Sequence, residues 1–125
     1  MNKFNLRAKI YLILAVCISL PTILISCEEN AALNGVSFRC HGDLFSFEEE
    51  LDLLIAADVL YDRANLPLLD HFLSRGREAL VADSRVRDFA HPLYRRLDVL
   101  DACTWPDLAE PAEFRHVSLY HAVRS

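Results

Sequence analysis

Three aspartates, Asp43, Asp58 and Asp83, each follow a short apolar run. An acid in that position can accept hydrogen bonds from ribose hydroxyls or from an adenine amino group, and it can attract a cation. In an open α/β sheet, ligands bind beyond the carboxyl ends of the strands, so strand-end acids are the first groups to examine. The ordinary alternative for each is a solvated loop aspartate. Tyr61, three residues after Asp58, is either the lining of a pocket at that end or a core tyrosine. The histidines suggest no rival centre. His116 and His121 are five apart on one strand-like run, so they face opposite sides. His41, His71 and His91 lie in unrelated segments, and no metal site is expected. No GxSxG elbow and no CxxC pair occurs, which removes the usual signatures of a serine hydrolase, a zinc ribbon or a thioredoxin-like site.

The elements that would position these acids follow from the apolar patterning. Leu51 to Ala57 is a continuous apolar run broken once by Asp52, and it reads as a strand buried on both faces. Ala79 to Ala82 reads as a second buried strand ending at Asp83. Between them Leu66 to Leu73 is apolar at helical spacing. Pro67 sits in its first turn and Gly76 stops it. Upstream, Glu28 to Asn34 reads as a helix end stopped at Asn34-Gly35, and Val36 to Cys40 as a short strand. Downstream, Val86 to Leu97 reads as a helix offset by Pro92. Val99 to Thr104 and Phe114 to Val123 read as a closing antiparallel pair of strands. Strands alternating with helices imply an α/β chain with a mainly parallel sheet.

The 125 residues suffice for one small domain. The net charge of −5 excludes a broad basic surface for nucleic acid. That charge is divided unevenly. Residues 1–27 carry Lys3, Arg7 and Lys9 and no acid. Residues 28–125 carry 18 acids against 10 arginines, and no lysine. The first 27 residues therefore read as a separate apolar N-terminal segment, and 28–125 as a domain portion. A basic start followed by the apolar run Ile10 to Ile25 has the pattern of a secretory signal. Leu24-Ile25-Ser26-Cys27 matches a lipobox, which would attach Cys27 to a membrane by an acyl chain. The same segment also fits a short membrane anchor through residues 10–27. A third fit is a pair of buried strands, Ile10–Val16 and Thr22–Cys27. A replaced domain start is a fourth.

The run LDLLIAADVLYD, with Asp58, two residues, then Tyr61, resembles a family of class I S-adenosylmethionine-dependent methyltransferases. That family contains protein lysine methyltransferases and has an Asp-x-x-Tyr signature after its fourth strand. The segment NAALNGV (30–36) resembles the helix before its third strand. His41-Gly42-Asp43 resembles the loop whose acid contacts adenine, and Leu66 to Arg85 the following helix and fifth strand. EFRHVSLYHAV resembles the terminal antiparallel strand. The resemblance implies an incomplete Rossmann-like methyltransferase sheet comprising strands three to seven. It implies Asp43, Ala57 and Asp58 as cofactor-binding residues and Asp58 and Tyr61 as catalytic ones. The cofactor would be S-adenosyl-L-methionine, the substrate a protein nitrogen, and the compartment the cytoplasm.

The family's first strand and its GxGxG turn have no counterpart, because the only glycines are Gly35, Gly42 and Gly76. Glycines in that turn let backbone approach the cofactor where a side chain would clash. A methyltransferase of doubtful activity is thus the first expectation, and a non-catalytic, membrane-attached lipoprotein-like chain the alternative. A truncated or frame-shifted product is a third. Lacking strands one and two, the 52–57 strand would expose an apolar edge. The N-terminal segment is available to cover it as a strand or helix.

Overall fold

The run Leu51-Asp52-Leu53-Leu54-Ile55-Ala56-Ala57 is too short and too uniformly apolar for an amphipathic helix, and it forms the centre of a sheet. The structure, a computed structural model, describes residues 10–13, 20–39, 41, 43–86, 89–103, 106–109 and 111–125. The side chains of residues 10–13 and 20–24 lie outside that description. The chain forms two compact units, one of Met1–Ala15 with Glu49–Ser125 and one of Val16–Glu48.

In the first unit, β1 (Ile10–Ile13), β2 (Leu51–Ala57), β3 (Gly76–Asp83), β4 (Arg95–Asp101) and β5 (His116–Val123) make one mixed sheet. The strand order is β1-β2-β3-β5-β4. β1 runs parallel to β2 with Ile10 opposite Leu53 and Ile13 opposite Ala56. β2 runs parallel to β3, whereas β5 runs antiparallel to both β3 and β4. Of the two strands expected at Ile10–Val16 and Thr22–Cys27, the first is present at Ile10–Ile13, with residues 14–16 outside the described residues, and the second is helical. The closing pair is antiparallel as expected, but its first strand is Arg95–Asp101 and not Val99 to Thr104: Ala102 and Cys103 lie outside it, Thr104 lies outside the described residues, and β5 begins at His116.

The crossover from β2 to β3 carries a 3₁₀ turn at Arg63–Asn65 and α2 (Leu68–Arg75). Pro67 precedes α2, and Leu69, Phe72 and Leu73 form its buried stripe. The chain passes from α2 directly into β3 at Gly76. Its backbone is extended, so the glycine is required by space and not by conformation. A Cβ there would lie 2.7 Å from the Glu78 carbonyl oxygen and 3.1 Å from Leu54 Cβ.

The two sheet faces differ. Leu54, Ala56, Ala79, Val81, Asp83, Ser118, Tyr120 and Ala122 share one face and are buried. Tyr120 packs its ring 4.2 Å from Phe89, Phe89 meets Tyr94, and the Tyr94 hydroxyl donates to the Leu69 carbonyl. That chain of contacts runs from the sheet through the 89–94 segment to α2. On the opposite face Leu53, Ile55, Ala57, Leu80, Ala82 and Leu119 are half-buried. The expectation that β2 is buried on both faces holds fully for only one of them.

In the second unit α1 (Leu20–Leu33) begins with Pro21 in its first turn. It ends in a Schellman motif: Gly35, at φ +63°, donates to Ala32 O, and Val36 donates to Ala31 O. The helix end expected at Asn34-Gly35 is thus found. The compositional change at residue 28 falls inside α1. Among the described residues no helix is long and apolar enough to cross a membrane.

Two expected elements are absent. Val36 to Arg39 forms no strand, and Val36 and Phe38 are exposed. A strand needs a neighbouring backbone to complete its ladder, and none stands beside this segment among the described residues. The third strand of the expected sheet is therefore missing; Cys40 lies outside the described residues. The helix expected over Val86 to Leu97 does not form either. Pro92 removes a donor and biases His91 away from helical backbone. From Arg95 the chain is held by pairing with β5. Arg87 and Asp88 lie outside the described residues.

Candidate functional site

The parallel strands β2 and β3 end side by side, with Ala57 opposite Ala82, and each is followed or closed by an aspartate. These two acids have different fates. Asp83 is fully buried. One carboxylate oxygen accepts from the Leu60 amide at 3.0 Å, and the other accepts from Arg85 and Val86, both at 2.8 Å. The carboxylate thereby ties the segment after β2 to the end of β3. Both oxygens are engaged by backbone amides in a fully buried position, so Asp83 acts as a structural clasp.

Asp58 is exposed and has φ +51°, left-handed backbone that a non-glycine residue adopts at a cost and that aspartate tolerates better than most. Its amide donates to the Ala82 carbonyl at 2.9 Å, which extends the β2–β3 pairing by one residue and turns the chain. Its Oδ1 accepts from the Ser84 amide at 3.2 Å and from the Ser84 hydroxyl at 3.0 Å. Ala57 is half-buried at the end of β2, on the less covered face. Tyr61 is 45% exposed and stands at the surface, outside the core, so the core reading of this tyrosine does not hold. Asp62 next to it caps the 3₁₀ turn by accepting from the Ala64 amide at 2.9 Å.

Asp43 belongs to the second unit. Its Oδ1 accepts from the Phe45 amide at 3.0 Å, and the Ser46 hydroxyl donates to its carbonyl at 3.2 Å. The Phe45 hydrogen bond, followed by those from Ser46, holds its carboxyl below the usual aspartate range. The His41 ring meets Phe47 edge-on at 5.2 Å and sits 3.2 Å from the Ser46 hydroxyl. Asp43 is thus the corner of a local turn. Ala57, Asp58 and Tyr61 follow one another in sequence at the carboxyl end of β2.

A cleft of about 380 Å³ opens beside this end, lined by Arg63, Leu66, Pro67, Asp70, Phe89 and His91 among others. Neither Asp58 nor Tyr61 lines it. At its rim the His91 Nε2 stands 2.9 Å from Asp70 Oδ1, while His91 Nδ1 accepts from the Leu93 amide at 3.2 Å. An amide donor at Nδ1 leaves the proton on Nε2, so His91 donates to Asp70. The ring is held at both nitrogens and has no free lone pair for a substrate. Sequence reasoning missed this pair because Asp70 and His91 are 21 residues apart in segments read as separate helices, the second of which does not form.

Tyr94, next to the pair, is buried, and burial followed by the Asp70 charge pushes its hydroxyl well above its usual value. Among the described residues no three His, Cys, Asp or Glu side chains converge to hold a metal. No protein-family model matches the chain, and no curated protein matches it in sequence.

Proposed function

We propose that the chain is a class I methyltransferase-type half-domain that carries the acceptor side of such a site and does not itself hold S-adenosylmethionine. The observation that carries this reading is the sheet order. β2, which bears the Asp58-x-x-Tyr61 segment, lies parallel between β1 and β3, and the terminal strand β5 is antiparallel. In the family the fourth strand pairs with the first, and the parallel pairing of β1 with β2 supports reading β1 as a strand of that kind. The residues fit the cofactor poorly. Residues 14–19 read Leu-Ala-Val-Cys-Ile-Ser and contain no glycine. The glycine-rich signature of the family's cofactor loop is therefore missing from this stretch of the sequence. Asp58 has one oxygen engaged by Ser84, and both oxygens of the buried Asp83 are held by backbone amides. No transfer step is derived for the chain.

On this reading the compartment is the cytoplasm and the partner class is protein. Lipidation at Cys27, the alternative, requires cleavage of the Ser26–Cys27 bond, which lies in the middle of α1. The test is titration calorimetry of the purified chain with S-adenosylmethionine, beside an assay of labelled methyl transfer to proteins of a cell extract. No binding at millimolar cofactor and no transfer are expected. Binding or transfer would overturn the absence of a cofactor cradle.

A further inference from the structure

We propose that Asp98 guards the outer edge of β4 against pairing with the same strand of a second copy. β4 is the last strand of the sheet on its side, and all seven of its residues, Leu97, Val99 and Leu100 among them, are exposed. A strand of this kind presents unpaired amides and carbonyls as a template for another chain. The direction of those groups follows from the ladder. The Ala102 amide donates to the Arg115 carbonyl at 2.8 Å, so Ala102 and Arg115 form a hydrogen-bonded pair. Such pairs alternate along antiparallel strands. Leu100–Val117 and Asp98–Leu119 therefore point their backbone groups toward β5, and Val99 and Asp101 point theirs outward.

The outward Val99 amide is the group a pairing strand would need. Asp98 accepts from it at 2.8 Å. The carboxylate stands where the carbonyl of a neighbouring strand would have to stand, and it adds a charge that an incoming backbone would have to desolvate. One residue earlier the register slips between Arg96 and Asp98, a bulge that further interrupts the edge. The occupant excluded is a second β4. It is present at the chain's own concentration, and with the cap removed it offers the same run of outward groups and exposed apolar side chains.

The experiment is sedimentation velocity across a hundredfold concentration range, with hydrogen exchange at the Val99 amide. Wild type is expected to remain monomeric, with Val99 exchange independent of concentration. D98A is expected to self-associate, with Val99 exchange slowed at least tenfold as concentration rises. D98N, whose side-chain oxygen can still accept from Val99, is expected to stay monomeric. Adding Val99→Pro to D98A deletes the outward donor and is expected to restore the monomer, since proline is tolerated at an outward edge position. Unchanged circular dichroism would show that the variants fold. A monomeric D98A, or a wild type that already associates with concentration-dependent protection of Val99, would overturn the proposal. So would association of D98A that survives V99P.

Discussion

Replacing Asp83 by alanine tests the clasp at the end of the two central strands. The substitution deletes acceptors for three amides. Leu60 and Val86 are buried, so their N–H groups lose their partners without gaining bulk water. Each orphaned amide costs roughly 1–3 kcal/mol. Arg85 is exposed, and its amide can rehydrate. Two effects oppose the loss. A buried carboxylate no longer has to be desolvated, and the vacated volume can admit about one water. A net loss of about 3 kcal/mol is expected, from a total of roughly 10 kcal/mol for a chain of this length. With a urea slope of about 2 kcal/mol/M, the midpoint should fall by roughly 1.5 M. Asp83→Asn keeps one acceptor oxygen but turns an NH₂ toward one of the donors, so it should fall between wild type and alanine. Equilibrium urea unfolding followed by circular dichroism reads all three chains. A loss below about 1 kcal/mol for alanine, or asparagine equal to wild type, would refute the reasoning that the carboxylate holds the strand ends.

Gly76→Ala should cost about 2 kcal/mol in the same assay, because its Cβ meets the Glu78 carbonyl at 2.7 Å in a packed strand. Ala109 has φ +58°, so Ala109→Gly should stabilise the chain by roughly 0.5 kcal/mol; a loss would show that this backbone carries no strain. Tyr94 holds its proton in the folded state beyond the unfolded value of about 10. Its contribution is therefore complete below that pH and declines as pH rises above it, and Tyr94→Phe should flatten the alkaline limb of the stability profile. The Glu50 carboxyl is held low first by its hydrogen bond from Arg124 and then by the Arg124 and Arg77 charges. Its stabilisation exists above the ordinary glutamate value and is lost as pH falls through the lowered one. Because the groups are exposed, Glu50→Gln should erase only a small, salt-sensitive part of the acid dependence.

The central strands and their crossover were legible because their patterns are locally self-sufficient. Leu51–Ala57 is apolar except at Asp52, α2 has its stripe at Leu69, Phe72 and Leu73, and Gly76 marks the junction. The Asn34-Gly35 stop was legible because left-handed backbone selects glycine. What failed depended on partners distant in sequence. Val36–Arg39 has the alternation of a strand but no neighbour, whereas Ile10–Ile13, equally compatible with a signal or an anchor, finds one in β2. The 86–97 segment has helical spacing, but Pro92 and pairing with β5 take it elsewhere. At the site, the position of Asp58 at a strand end was legible, and its engagement with Ser84 was not. The clasp at Asp83 looked identical to a ligand-binding acid, because sequence shows the carboxylate and hides the three amides that occupy it.

Adjacent strand-end acids thus divide two tasks that sequence alone does not separate. Two parallel strands closing side by side leave amides beyond their ends with no strand to pair with. One carboxylate must satisfy them, and burial selects Asp83 for that task. Once it does, the turn after β2 is pinned through Leu60, and Asp58 is left outward at a left-handed residue with one oxygen engaged. Any ligand taken up at this end must compete with the Ser84 hydroxyl for Asp58, or use the second oxygen alone. Ser84→Ala removes the hydroxyl while the Ser84 amide still holds Asp58. That variant should lose under about 1 kcal/mol of stability, since one exposed hydrogen bond is replaced by water. A loss above about 2 kcal/mol would mean that the Asp58–Ser84 contact is itself part of the clasp, and that this end of the sheet has no acid free for chemistry.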